Sequence, residues 1–450
     1  MKQQHNIFFR KPATNPYRIF FLLILILGGI WLIRQVDQGK INRPFTPTPT
    51  PTRVAYSYAL EGDAQFEAGK LDAAITAYQE ATRVDPNNAE VWAKLARIQT
   101  YSSVLLTTDE QQRDRLQEAL DSINKAVELA PDDSTVHAIR AFVLDWNANA
   151  TLFGEKEAAA YLLEAEQEAV RAIQLDNQNA LALAFYAEIL VDEQKWNQAE
   201  QYVLQALEID DQLMDVHRVY AYVLESFAQY NQAIQEYDKA LEISPNLTFL
   251  YLRAGANYRR LAFSSPNDEN RKQLYESSLE YFAKAARLNK KLGIQDPVPY
   301  LSISKTYSQE GEYFIAARNV QKALEIDPAN ADIYGQLGIV FFKSRNYEGS
   351  IPALKCAIRG CTAEESCEGR GGCGPNDVPA EVTGLELSPN TVVYYYTYGS
   401  VLAALSRPQE NYCDEAMDVM AEVKAMFSGD RDIMGIVQAG EAICRSLEEE

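Results

Sequence analysis

The sequence predicts an all-α fold: a right-handed α-solenoid of about nine helical hairpins closed by a capping helix and preceded by a single transmembrane helix. Three observations predict it. Residues 180–213 and 214–247 overlay as tandem units of 34 residues, with Tyr186-Ala187 on Tyr220-Ala221, Trp196 on Tyr230, Ala199 on Ala233, Ala206 on Ala240 and Asp211 on Pro245. Each half of a unit carries apolar residues at helical spacing, as in Ala233, Ile234, Tyr237, Ala240 and Leu241. Near the amino terminus, residues 19–33 run for fifteen positions without a polar or charged side chain.

Small residues at fixed places let paired helices approach closely, and Pro245 cannot continue the helix before it. A lone hairpin cannot bury its apolar face, whereas stacked neighbours can. The chain resembles the tetratricopeptide repeat (TPR) family. The family pattern is met at Tyr334-x2-Leu337-Gly338-x2-Phe341, at Tyr251-x2-Ala254-Gly255-x2-Tyr258, and at Ala74-x3-Tyr78 with Pro86. The repeats cover most of residues 55–447, and the whole resembles a membrane-anchored bacterial TPR protein.

In chain order, residues 1–18 are polar and basic and read as a cytoplasmic tail. Residues 19–33 read as an uncleaved signal-anchor, with Arg18 and Arg34 snorkelling to the interfaces. A cleaved signal peptide competes, but no small-x-small cleavage site follows. Residues 34–54 contain PFTPTPTPT, an extended spacer. Repeat units are expected to start near 55, 89, 134, 180, 214, 248, 297, 331 and 392. In the units from 89, 134 and 248 the second helix arrives eleven or twelve residues late, about three helical turns. These units are expected to have longer helices, with the turn moved outward. Residues 361–390 break the pattern with no helical period, and 430–447 read as the capping helix.

All six cysteines lie in the last 95 residues. Outside the cytoplasm an even cluster reads as disulfides. Cys413 and Cys444 sit about equally far from the turn near Gly429, so they are expected to pair. Cys356, Cys361, Cys367 and Cys373 leave three pairings open. Their spacings of five, six and six, with no histidine nearby, disfavour the competing zinc site.

Function is expected to be binding, not catalysis. The net charge is −21, and residues 1–53 hold eight Lys/Arg and one Asp, leaving near −28 for the rest, which argues against nucleic acid. No catalytic constellation, cofactor motif or metal site is visible. His137 and His217 stand fourth in their units, where others carry Tyr, and read as interior packing. The resemblance implies a concave groove lined by first helices. Carried over, its positions give Tyr56, Phe66, Phe142, Arg218, Tyr222, Phe249, Arg259, Lys305 and Phe342 as groove candidates, with Asp145, Asp215 and Glu225 among their neighbours. Exposed aromatics with both charge signs suit a peptide or helix from an envelope or secreted protein partner. The alternative is a carbohydrate-binding platform in envelope polysaccharide assembly, with the aromatics stacking on sugars.

Overall fold

The computed structural model describes residues 15–38, 53–374 and 377–448. They fall into two compact units, 1–53 and 54–450. The first contains α1 (Pro16–Asp37), 22 residues long. Its stretch Pro16–Val36 is apolar and long enough, at 21 residues, to cross a membrane. The helix outruns the fifteen-residue apolar core because Asn15 accepts a hydrogen bond from the Tyr17 N–H at 3.1 Å and Pro16 occupies the first turn, where its missing N–H costs nothing. The first fourteen residues of the expected tail and the Pro/Thr spacer at 44–52 lie outside the described residues.

The second unit is a solenoid of helical hairpins, without a β-strand among its described residues. The first pairs are α2 (Ala55–Glu67) with α3 (Leu71–Val84), and α4 (Ala89–Ser103) with α5 (Asp109–Leu129). Next, α6 (Ser134–Asn147) and a single turn α7 (Ala150–Phe153) precede α8 (Glu155–Leu175). They are followed by α9 (Ala180–Asp192) with α10 (Trp196–Ile209), and α11 (Met214–Ser226) with α12 (Tyr230–Ile243). The later pairs are α13 (Thr248–Ser264) with α14 (Asp268–Leu292), α15 (Val298–Glu310) with α16 (Tyr313–Ile326), and α17 (Ala331–Lys343) with α18 (Tyr347–Arg359). After α19 (Ala363–Gly369), α20 (Val392–Leu405) pairs with α21 (Cys413–Phe427), and α22 (Arg431–Glu448) packs on both.

Side-chain chemistry accounts for the repeat. A Cβ on Gly62 would stand 2.6 Å from the Tyr78 ring, and one on Gly255 would stand 2.6 Å from Phe282, so the large residue of the second helix needs glycine opposite it. The fourth residue of several units ties its helix to the preceding turn. Trp92, Tyr251 and Tyr334 donate to the carbonyls of Pro86, Pro245 and Pro328, each six residues upstream. His137 and His217 make the same contact through Nε2, to Pro131 and Asp211, while their Nδ1 atoms face Glu168 and Glu236. Both histidines are buried structural staples. Asn88, Asp133, Asn179 and Asn330 accept hydrogen bonds from first-turn N–H groups and so start the first helices.

In the three delayed units most of the extra length goes into the second helix: α5 and α8 have 21 residues and α14 has 25, against 14 in α3, α10, α12 and α16, while the rest lengthens α4 and α13 to 15 and 17 residues, against 13 in α9 and α11, or forms α7. The segment expected to lack helical period holds α19, started by a capping box between Thr362 and Glu365. It returns along α18 through an antiparallel bridge between Cys361 and Val382.

Repeat spacing alone suggests an open, elongated stack. The array instead winds far enough that its first units touch later ones, because the small rotation between successive hairpins accumulates. Asn246 donates to the Glu67 carbonyl at 2.9 Å, Asn330 to Thr107 Oγ at 2.6 Å, and Ser388 Oγ to Asp109 at 2.9 Å. Gly69 is required at the first of these contacts. Its φ is +77°, and a Cβ there would lie 2.0 Å from the Asn246 carbonyl oxygen.

Candidate partner-binding face

First helices face the inside of the winding, and their inward residues do two different jobs. On α4 and α11 they meet across the channel. Asp215, 1% exposed, accepts from Arg97 Nε at 3.1 Å, from Arg97 Nη2 and from the Tyr101 hydroxyl. Arg218 Nε donates to the Tyr101 oxygen at 3.1 Å, and both its Nη groups hold Glu188, which also accepts from Trp146 Nε1 at 3.1 Å. Burial opposes the charge of Arg218, but Glu188 and Asp215 outweigh it and hold the guanidinium well above its usual pKa. Phe249 stacks on Tyr101 with ring centres 5.0 Å apart, and Phe142 stacks on Phe185 at 4.5 Å.

Three groove candidates are therefore corrected. Phe142, Arg218 and Phe249 are 0%, 6% and 4% exposed, so they offer no free surface to a partner; they hold the winding closed. The physical reason is that inward-facing residues of one turn pack against those of the next. Arg97, Tyr101 and Glu188, which complete this contact, were not anticipated. Arg97 stands ninth in its unit, a groove position, so applying the same positions to the unit from 89 would have found it.

The remaining candidates keep solvent contact. Tyr56 is exposed, and Phe66 is half-buried beneath the Arg97 guanidinium, 5.6 Å from its ring centre. The Tyr222 hydroxyl donates to Asp192 at 2.5 Å. Phe342 lies 5.7 Å from Tyr347, ring to ring. Arg259, on α13, reaches only the Ser302 carbonyl, at 3.2 Å, and lies over the Phe282 ring. Partial burial and then the charge of Arg260 push its pKa down to about 10. Lys305, on α15, is likewise lowered by burial and by the charges of Arg259, Lys343 and Arg260. Arg260 has a counter-ion in Glu225 at 2.7 Å. Lys305 and Lys343 have neither an ion pair nor a hydrogen bond among the described residues. Three first helices thus converge cations that lack carboxylates, in a region of the chain near −28.

A cavity of 690 Å³ lies between α4, α6, α9, α11 and α13, lined by the buried Asp145 and the exposed Asp192 and Arg253 among others. No group of three or more His, Cys, Asp or Glu among the described residues is arranged to hold a metal. The cysteines stand at disulfide distance as Cys356–Cys361, Cys367–Cys373 and Cys413–Cys444. The last is the pair expected from the terminal hairpin, and the first two resolve the open choice as two local loops. The Cys367–Cys373 loop carries Arg370, 3% exposed, onto the Tyr334 hydroxyl at 2.8 Å and the Pro328 and Val378 carbonyls.

Family models for the TPR repeat match residues 62–99, and for the tetratricopeptide repeat residues 219–247. The chain belongs to the TPR family. Among solved structures, the TPR array is similar to the human IFIT1 dimer with PPP-AAAA, at 15% identity and a TM-score of 0.52, over 89% of this chain and 92% of that one. The likeness is one of fold. A thermophilic TPR protein of Thermus thermophilus aligns at 19% identity over 45% of this chain and 98% of its own, with a TM-score of 0.37. No curated protein matches in sequence.

Proposed function

We propose that this TPR protein is a membrane-anchored scaffold, amino terminus in the cytoplasm and array outside, which holds an acidic segment of an envelope or secreted protein against Arg259, Lys305 and Lys343. It performs no chemistry of its own and acts by concentrating its partner at the membrane. The carrying observation is the uncompensated charge of these three cations on neighbouring first helices. Like charges brought together without counter-ions cost free energy that an anionic ligand recovers. A short carboxylate segment suits the cluster, whereas a long polyanion would run onto the acidic remainder of the array. The apolar α1 and the clustered disulfides support the placement outside the cytoplasm. The carbohydrate reading loses support, because Phe142 and Phe249, two of its stacking aromatics, are buried.

The test is fluorescence anisotropy of an Asp/Glu-rich peptide with the full-length protein in detergent. Binding should weaken with salt, fall at least about tenfold in Lys305→Glu/Lys343→Glu, and be absent for a Lys-rich peptide. Equal binding of both peptides would sink the reading. For topology, a thiol count on protein isolated from membranes without reductant should find no free cysteine, and six free thiols would reverse the orientation.

A further inference from the structure

The six cysteines form three pairs that differ in their access to solvent. Cys356 and Cys361 are 1% and 8% exposed, and Cys413 and Cys444 are 3% and 1% exposed. Cys373 is exposed and its partner Cys367 half-buried. The chain neighbours of Cys373 are Gly371, Gly372 and Gly374, which carry no side chain to shield the sulfur. A Cβ on Gly372 would meet nothing within 4 Å. Thiol–disulfide exchange requires access to the attacked sulfur, and on that ground one pair of the three is open to a thiol.

The loop closed by this pair holds a buried charge. Arg370, between the two cysteines, makes no ion pair among the described residues and is held by neutral acceptors. Its Nε donates to the Tyr334 oxygen at 2.8 Å, and its Nη2 donates to the Pro328 and Val378 carbonyls at 3.2 and 3.1 Å. A guanidinium taken out of water without a counter-ion returns to solvent readily once the backbone around it is freed. The disulfide restrains that backbone on both sides of Arg370.

The two carbonyls on Nη2 belong to the two segments that clamp one distant turn. Pro328 leads to Asn330, which donates to Thr107 Oγ1 at 2.6 Å and starts α17. Val378 leads to Ser388 and Asn390, which donate to Asp109 at 2.9 and 2.7 Å. Arg370 is therefore a common anchor for the seam between the second repeat unit, at residues 107–109, and the eighth.

We propose that Cys367–Cys373 is a thiol-exchange site at which a small monothiol unlocks this seam. The thiolate attacks Cys373 Sγ and forms a mixed disulfide there. The Cys367–Cys373 bond breaks, and its electron pair leaves on Cys367 as a thiolate that takes a proton from water. A second thiol attacking the mixed disulfide leaves Cys373 reduced and the two small thiols oxidised to their disulfide. Once the loop is open, Arg370 leaves its neutral acceptors and the 107–109 turn loses the anchor shared by its two clamps. This site is separate from the Arg259–Lys305–Lys343 cluster and stands whether or not that cluster binds an acidic segment.

The probe is reduced glutathione, added to the full-length protein in detergent, with aliquots quenched by N-ethylmaleimide and mapped by mass spectrometry. The first adduct should be on Cys373, with Cys367 alkylated, at least about tenfold sooner than any change at the other four cysteines. In the glutathione adduct, hydrogen exchange should rise at least about tenfold in peptides spanning the starts of α5 and α17, and stay unchanged in α11 and α12. Arg370→Met, with its disulfide intact, should show that faster exchange before any thiol is added and no further rise afterwards. If Arg370→Met does not fold, Cys367→Ser/Cys373→Ser carries the same comparison. Equal rates at all three pairs, a first adduct on Cys367, or an opened loop with unchanged exchange at α5 and α17 would each overturn the proposal.

Discussion

Asp215→Ala should unfasten the winding of the array. Asp215 is the acceptor for Arg97 and Tyr101, residues more than a hundred positions away along the chain, and removal leaves a guanidinium and a hydroxyl without it on the inner face of the array. Breaking one side of a buried pair costs about 3–5 kcal/mol, and the 21% exposure of the Arg97 side chain puts the expected loss near the lower end, about 3 kcal/mol. Because the contact joins two distant units, the loss should be local. Amide hydrogens of α4 and α11 should exchange about a hundredfold faster, the factor equivalent to about 3 kcal/mol, while those of α20 and α21 keep their rates. Hydrogen exchange read by mass spectrometry resolves these segments. Combining Arg97→Met with Asp215→Leu should cost less than the two single changes together, since neither charge is then left alone. A change in exchange below about threefold at α4, or equal acceleration along the whole array, would show that Asp215 does not hold the turns together.

Ala228 and Arg345 adopt positive φ, +56° and +62°, at hairpin turns where Gly69 and Gly311 serve elsewhere. Ala228→Gly should therefore stabilise the array by about 0.5–1 kcal/mol in urea denaturation, and a loss of stability would contradict the turn assignment. Cys413 and Cys444 close a loop with a sequence separation of 31, so Cys444→Ala should cost about 3.5 kcal/mol and free α22 first, seen as early proteolysis after Ser428; unchanged protease resistance would refute it. Stability should also depend on pH. The folded state raises Asp192 and Asp296 to about 6, raises Asp145 above its ordinary value, and raises His217 above 6.5, where the Glu236 carboxylate and Asp211 carbonyl outweigh burial. The histidine's contribution is complete below its unfolded pKa and lost as pH rises through the folded one, and the burial penalty of Asp192 and Asp296 grows earlier, from their ordinary value of 3.8 up to about 6. The folded state thus binds more protons between pH 5 and 8, and the melting temperature should be higher at pH 5.5 than at pH 8, measured by scanning calorimetry; the opposite order would refute this.

The helical repeat was legible because it rests on local rules. Asn88, Asp133, Asn179 and Asn330 mark helix starts by capping chemistry that acts within three residues, and Pro245 marks a stop without reference to anything distant. The Cys413–Cys444 pair was legible for the same reason, since the geometry of one hairpin brings the two residues level. Cys356–Cys361 and Cys367–Cys373 were not, because their segment has no periodicity from which a distance can be reckoned; the chain path through α19 decides the pairing. Groove positions could be counted within each unit, yet counting did not distinguish Phe249, stacked on Tyr101, from Lys305, which faces solvent. What the sequence by itself determined is the period, the helices and the inward face of each, since these follow from spacing and capping along a few turns. What only the tertiary structure decided is which inward residues meet each other across the channel and which remain for a partner, because that depends on a rotation per hairpin summed over many units and written in no single one of them.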